Sequence, residues 1–587
     1  MGKHTTRGTT PRQRQRPRPA ALPIRSTVRL RRPVDLWHKP ALSAAGALAV
    51  PDLTLLALGR LDLVLYTSAG AMCALYAHGR PYAARARSLA LVVLGMVASL
   101  GVALVCAATV SSPALLVALA ALVAAAHKTV CDATGIGPPG NLILTFISSS
   151  AFFVPQRLAD VPFHLALAVG GGAVAWLICM APGLFRPHGP ERAAVARALE
   201  ASAALWRAQG AEVLPARRAA AGAVNAAWHT LFLVPGDGTE RGHGTDRGRG
   251  TERAGLDRLL VHAESALAAE APHPGEADRC ASLARALRRG RALPAVALTP
   301  GESREVAGVG AERRALWEPR RPAPDGPRGI RAVRDRLRPG SPLLPVGARV
   351  AAGCALAGWV SLAAGVGHPY WAVVTAASLY QANTTLSWQR AVQRVLGNVL
   401  GLVLFLALLP LIRTGHLAMV LLALAFQIGA EALITRNYWL GSVCVTPMAL
   451  LLTEFGGHLP AGTLVHDRMV DTLVGAAVGL ACCVLVTNRR ATDRIDRALA
   501  EVTAARGAAV RAAAGSAAEG TGWAGEAGRS RDRLALSLVE LRDAFEVASG
   551  EWWQRALPAE RVAAAEAEGH RTLALLVRRT APVAPVP

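Results

Sequence analysis

Long uncharged stretches alternate with short basic ones along the chain. Residues 89–126 run for 38 positions without Asp, Glu, Lys or Arg, and residues 350–389 run for 40. A helix needs about 20 apolar residues to cross a bilayer core. Each run therefore predicts two helices, divided at Ser111-Ser112-Pro113 and at Gly365-Val366-Gly367-His368-Pro369, where Ser, Gly and Pro cluster as turn punctuation. Further apolar segments at 41–58, 62–78, 138–154, 162–183, 395–412, 416–434, 437–453 and 470–487 predict the remaining spans. The pattern is that of an all-α polytopic membrane protein with about twelve transmembrane helices, six in each half. Helices are expected because lipid offers the backbone no outside hydrogen-bond partner.

Composition changes this picture mainly through charge. Hydrophobic residues make up 52% of the 587 and charged ones only 18%, yet the net charge is +24. Grease and charge must therefore occupy different places. The first 40 residues hold 11 Lys or Arg and one acid, Asp35, and no apolar run precedes residue 41. A cleaved signal peptide would place its apolar core directly after a short basic region, so the basic arm is expected to stay in the cytoplasm. Loops on its side carry Arg80, Arg85 and Arg87, then Arg390 and Arg394, Arg436, and Arg489, Arg490, Arg494 and Arg497. Opposite loops carry one each: Arg60, Arg157, Arg413 and Arg468. The excess of Lys and Arg marks the cytoplasmic side. It predicts a multi-pass plasma-membrane protein with both termini and the middle segment inside. Anionic lipid headgroups are a sufficient partner for that basic face, so no nucleic acid is expected.

Five regions follow. Residues 1–40 form the basic arm, 41–183 the first six-helix module, 184–344 a cytoplasmic helical segment, 345–487 the second six-helix module, and 488–587 a C-terminal cytoplasmic helical segment. Amphipathic helices are expected near 190–214, 255–270 and 276–293. Between the first two, about 236–254, a repeated Gly-Thr-(Glu/Asp)-Arg unit has no apolar face and predicts a disordered linker. Gly-rich 515–528 should break the C-terminal helices.

The halves resemble each other at a spacing of roughly 300 residues, as transporter repeats do. Six spans per module give both modules the same orientation, hence a parallel repeat. The second half, with Pro369-Tyr370-Trp371-Ala372-Val373-Val374-Thr375-Ala376, then Arg390 and Arg394-Val395-Leu396-Gly397-Asn398-Val399-Leu400-Gly401, resembles the fusaric acid resistance protein-like family. So does Arg468-Met469-Val470-Asp471-Thr472-Leu473-Val474-Gly475-Ala476-Ala477-Val478-Gly479. The likeness is good over about 345–487 and weaker over 41–183, which lacks the Tyr-Trp pair. Gly397-Asn398 stands where the family often has Gly-Thr. The resemblance implies membrane transport of organic anions, aromatic carboxylic acids among them.

Candidate substrate-path residues lie in this half. Arg390 and Arg394 are four apart on one helical face, and a guanidinium suits a carboxylate by its two-point fork. Glu431, with Gln427 one turn earlier, is an ionisable group in an apolar span, which marks a functional pathway by default; it could carry protons. Tyr370 and Trp371 either form an interfacial belt or stack on an aromatic substrate. Gln381 and Asn383 are the polar end of that span. Gly397 and Gly401 read as helix-packing positions, and Arg468 and Asp471 as a structural pair. The nine cysteines show no metal or redox spacing, and no phosphate loop or nucleophile elbow appears. No cofactor, metal or enzyme activity is expected. The leading expectation is a secondary exporter of organic acid anions, coupled to protons. The alternatives are a passive anion channel and a membrane scaffold with cytoplasmic interaction helices. A homo-oligomer is compatible with either.

Overall fold

The computed structural model describes residues 25–30, 37–233, 275–290, 343–381, 383–454, 460–485, 491–514, 521–550 and 557–580, with Arg334, Arg338 and scattered positions of 252–267. The expected linker about 236–254 lies almost wholly outside the described residues, as does most of the basic arm. All regular structure among the described residues is helical.

The first module contains α1 (His38–Ala57), α2 (Val64–Ala71, extended by 3-10 turns at Leu61–Leu63 and Met72–Leu75), α3 (Tyr82–Thr109), α4 (Pro113–Thr134), α5 (Leu142–Ala151) and α6 (Val161–Met180). Then come α7 (Gly189–Arg207), α8 (Val213–Phe232) and α9 (Glu276–Arg288). The second module contains α10 (Leu343–Ala363), α11 (Tyr370–Leu379), α12 (Thr384–Ile412), α13 (His416–Ile434), α14 (Tyr438–Glu454) and α15 (Ala461–Leu485). Helices α16 (Ala491–Ala514), α17 (Thr521–Ser549) and α18 (Ala559–Thr580) follow. Local signals set several ends. Ser112 caps α4 through Leu115 N–H at 3.4 Å, Pro113 opens the helix, and Gly135 closes it at φ 58°. Helix α17 begins at Thr521, inside the stretch expected to break it.

Among the described residues, eight helices are long and apolar enough to cross a membrane: α1, α3, α4, α6, α10, α12, α13 and α15. The other four expected spans are shorter, at Leu61–Leu75, Leu142–Ala151, Tyr370–Leu379 and Tyr438–Thr453. A ten-residue helix such as α5 or α11 rises about 15 Å, half a hydrocarbon core. Composition does not separate the two kinds, because a buried half-depth helix is as apolar as a lipid-facing one. All ten residues of α11 are buried, which is where a bilayer tolerates interrupted helices.

Both modules read long, short, long, long, short, long. The pairings also recur. In the first, α2 packs on α1, α3 and α6, α3 also on α4, α5 and α6, α1 on α6, and α4 on α5. In the second, α11 packs on α10, α12 and α15, α12 also on α13, α14 and α15, α10 on α15, and α13 on α14. Glycines permit a close crossing in each. A Cβ at Gly171 would collide with the Thr67 carbonyl, and one at Gly475 would lie 2.6 Å from the Ala372 carbonyl oxygen. Between modules, the fourth helix of each packs on the first of the other: α4 on α10 and α13 on α1. The short helices α5 and α11 also meet across this seam.

Among the described residues, two helical cores lie outside the membrane modules. One gathers Val195, Leu199, Val224, Trp228, Leu260 and Leu283, and the other Ile495, Leu499, Leu534, Leu538, Leu541 and Val562. Arg218 on α8 and Glu566 on α18 bridge them at 3.9 Å.

Candidate functional site

The third helix of each module presents a buried stripe, and the two stripes differ in chemistry. On α3 it runs Leu89, Val92, Met96, Leu100, Ala103 and Leu104, with Arg85 only at its start. On α12 it includes Ser387, Arg394 and Asn398. The sixth helices differ likewise: α6 buries Ala168, Gly171, Gly172 and Ala175, whereas α15 buries Asp467, Arg468, Asp471 and Thr472. Polar groups are thus concentrated in the core of the second module.

Close packing brings them together. A Cβ on Gly397 would sit 2.6 Å from the Trp439 carbonyl oxygen, and one on Gly401 2.7 Å from Thr446 Cβ. Bare backbone at both positions lets α14 lie against α12, as small residues do in membranes. Arg390 and Arg394, expected in a loop, instead lie within α12. The Arg390 guanidinium stacks 3.7 Å from the centroid of the Tyr438 ring, and Arg394 Nη1 donates to the same tyrosine's hydroxyl at 3.0 Å. One turn further, Asn398 Nδ2 donates to Thr472 Oγ1 at 2.8 Å, and Thr446 donates to Asn398 Oδ1. Thr472 donates in turn to the Arg468 carbonyl at 2.7 Å.

Arg468 ends the series. Expected in a loop, it is the largest charged side chain sealed in the core, 1% exposed, on α15. Its guanidinium carbon lies 3.7 Å from the Trp371 ring centroid. Its Nε and Nη1 have no hydrogen-bond partner among the described residues. The expected pair with Asp471 does not form. Asp471 Oδ1 accepts from Ser361 on α10, and its Oδ2 is unmatched among the described residues. An i, i+3 spacing allows a pair, but each side chain turned to a different neighbouring helix. Charged groups sealed this way ordinarily carry partners.

The expected interfacial belt is also corrected. Tyr370 and Trp371 are 6% and 2% exposed. Their rings meet Phe153 at 5.8 Å and Phe146 at 5.4 Å, both beside the short helix α5 or on it. The aromatic wall behind Arg468 is therefore built by both modules. Above it, His368 Nδ1 lies 2.9 Å from Asp467 Oδ2, which also accepts from Gly367 N–H.

The remaining candidates separate from this column. Gln427 is buried and Glu431 half-buried on α13; among the described residues Glu431 forms no ion pair, with Arg436 or any other group. Gln381 bonds the Ser378 carbonyl at 3.1 Å, and its N–H donates to Ser387 Oγ at 3.2 Å. Asn383 caps α12, accepting from Leu386 N–H at 2.9 Å. The same corner receives the C-terminal bundle: Thr385 N–H donates to the Gly550 carbonyl at 2.9 Å and Asn383 Nδ2 to the Glu546 carbonyl at 3.3 Å. A helical turn, Arg25–Val28, docks nearby through main-chain carbonyls. Thr27 accepts from Gln393 and Asn437 at 2.9 and 3.0 Å.

Sequence reasoning missed Tyr438, Asn398, Thr446, Thr472 and Asp467 as site members. Asn398 could have been found by extending the i, i+4 series from Arg390 and Arg394. The others could not, because only the helix crossing brings them there.

The segment that builds this column is also the one that comparison recognises. Residues 355–482 match the fusaric acid resistance protein-like family. The family segment spans most of α10 through α15, including every residue of the column. Over 544 residues the chain is 27% identical to the uncharacterized membrane protein YvaC of Bacillus subtilis (strain 168), covering 88% of this chain and 81% of the relative. An uncharacterized protein of Synechocystis is 30% identical over 140 residues, 24% of this chain and 18% of that one. No solved structure matches the chain.

Proposed function

We propose that the protein moves organic anions, aromatic carboxylates foremost, across the plasma membrane as a secondary transporter working outward. The observation that carries this reading is Arg468: a sealed guanidinium lying on Trp371 with N–H donors unmatched among the described residues. A planar cation against an aromatic face suits a ligand that is itself planar and anionic. The family match supports a transport-related role. In this reading Arg390, Arg394 and Tyr438 form the cytoplasmic entry, Asn398, Thr446 and Thr472 a mid-membrane polar clamp, and Arg468 the binding position. Glu431, a carboxylate in an apolar helix without an ion pair among the described residues, is the candidate proton carrier. The Lys and Arg excess read from the sequence supports an orientation with both termini and the middle segment inside.

Efflux of radiolabelled aromatic carboxylates from loaded proteoliposomes, with and without an imposed pH gradient, tests the reading. Gradient-stimulated efflux is the expected result. Unitary currents in voltage-clamped bilayers, indifferent to the gradient, would instead indicate a channel. No flux of any acid in a broad panel would discard anion movement altogether.

A further inference from the structure

We propose that the helical bundle between the two membrane modules holds a zinc ion on His262, Glu276 and Cys280. The three offer one imidazole nitrogen, one carboxylate oxygen and one sulfur, all within 4.8 Å of one another. His262 is 2% exposed and Cys280 wholly buried, among Leu259, Leu260, Leu283 and Leu287. Glu276 and Cys280 are four apart and share one face of α9. His262 comes from the facing helical residues 262–264. Its Nε2 lies 3.1 Å from Glu276 Oε2.

The donor set selects the metal. Nitrogen, thiolate sulfur and carboxylate oxygen together suit zinc, whereas calcium and magnesium take oxygen. Tetrahedral bonds of about 2.0–2.3 Å set ligand atoms roughly 3.3–3.8 Å apart. The three ligand atoms, within 4.8 Å of one another, would close by about 1 Å at most on binding. Glu276 Oε1 already accepts from Arg279 Nη1 at 3.2 Å, which fixes the carboxylate with Oε2 turned inward, as outer partners of metal ligands do. On binding, the Cys280 thiol gives its proton to solvent and sulfur bonds the ion, so charge and protons balance. Glu276, 24% exposed, gives the site an edge toward solvent, and a water would complete a four-coordinate zinc. Local spacing conceals the site, because His262 precedes Glu276 by fourteen positions.

The test uses the full-length chain in nanodiscs, loaded with zinc or cobalt(II) alone and dialysed. Elemental analysis is expected to find about one zinc per chain. Cys280→Ser and His262→Gln should each lose it, and Glu276→Gln should weaken retention against a chromophoric chelator by at least tenfold, on the order seen when a metal site's support is removed. Wild-type protein loaded with cobalt should show a thiolate-to-cobalt charge-transfer band that Cys280→Ser lacks. That spectrum needs no variant to be read. Its absence from the wild type, or equal zinc retention by wild type and all three variants, overturns the proposal.

Discussion

Arg468 offers the sharpest test, because its contributions to stability and to binding should separate. A side chain 1% exposed, with donors unmatched among the described residues, is an expensive thing to keep in a membrane. Replacing buried opposite charges together with neutral residues of similar volume is commonly neutral or stabilising by about 1–4 kcal/mol. Against that stands the contact 3.7 Å from Trp371, a desolvated cation–π interaction of about 2 kcal/mol. Arg468→Met alone would leave Asp471, whose Oδ2 is already unmatched, without its nearby counter-charge. The informative variant is therefore Arg468→Met with Asp471→Asn, which keeps the oxygen that accepts from Ser361. The two terms nearly cancel, so its thermal midpoint in detergent should stay within a few degrees of wild type. Anion binding should fall much further. Removing one partner of a desolvated charged contact costs about 2–5 kcal/mol, a loss of about thirty-fold to several thousand-fold in affinity. Equilibrium binding of a radiolabelled aromatic carboxylate to nanodisc protein, beside a thermal-shift measurement, reads both. Binding unchanged in a stable double variant would refute the role of Arg468. Collapse of stability and binding together would refute the claim that the charge is kept for the ligand.

Three further outcomes follow from other parts of the molecule. Gly397→Ala should destabilise by about 1–3 kcal/mol through overpacking against Trp439 and Ser442, while Gly95→Ala, with nothing within 4 Å, should be neutral or stabilise by up to about 1 kcal/mol; paired thermal unfolding compares them. Asn383→Ala removes a helix cap, about 1 kcal/mol, and should speed hydrogen exchange at 546–550, which it helps to hold. In the C-terminal bundle, burial and then the Arg217 charge push His570 down to about 4. The unfolded chain then binds the proton first, so stability should be flat above pH 7. It should fall between about 6.5 and 4 by up to about 1.4 kcal/mol per pH unit; His570→Gln should flatten that slope in acid-unfolding curves.

The all-helical character and the order of apolar segments were legible because charge-free runs of this length have few other uses. The short helices α5 and α11 were not, since depth in a bilayer leaves no mark on hydropathy. Arg390, Arg394 and the Tyr370-Trp371 pair were found by motif, but their surroundings were misjudged. Basic residues near a span end and aromatics near a boundary usually face water or headgroups. Here α12 and α15 extend past the purely apolar segments and carry those charges inward. The partner of each charge was the least legible part. Arg468 and Asp471 have pairing distance in sequence, yet Trp371 and Ser361 from neighbouring helices captured them. Tyr438 sits at the start of an unremarkable apolar stretch, and only the glycine-permitted approach of α14 to α12 gives it two guanidiniums.

The reciprocal contacts of α1 with α13 and α4 with α10 have the form of an isologous dimer interface. Two identical six-helix subunits would meet through these same faces, and a tether between them would make one polypeptide. In a true homodimer each substitution appears twice, so a buried cation must be tolerated in both copies at once. Fusion lifts that constraint. One copy can keep the costly arginines while the other fills the same stripe with Leu89, Val92 and Met96. The first half then contributes packing more than charge, lending Phe146 and Phe153 to the aromatic wall behind Arg468.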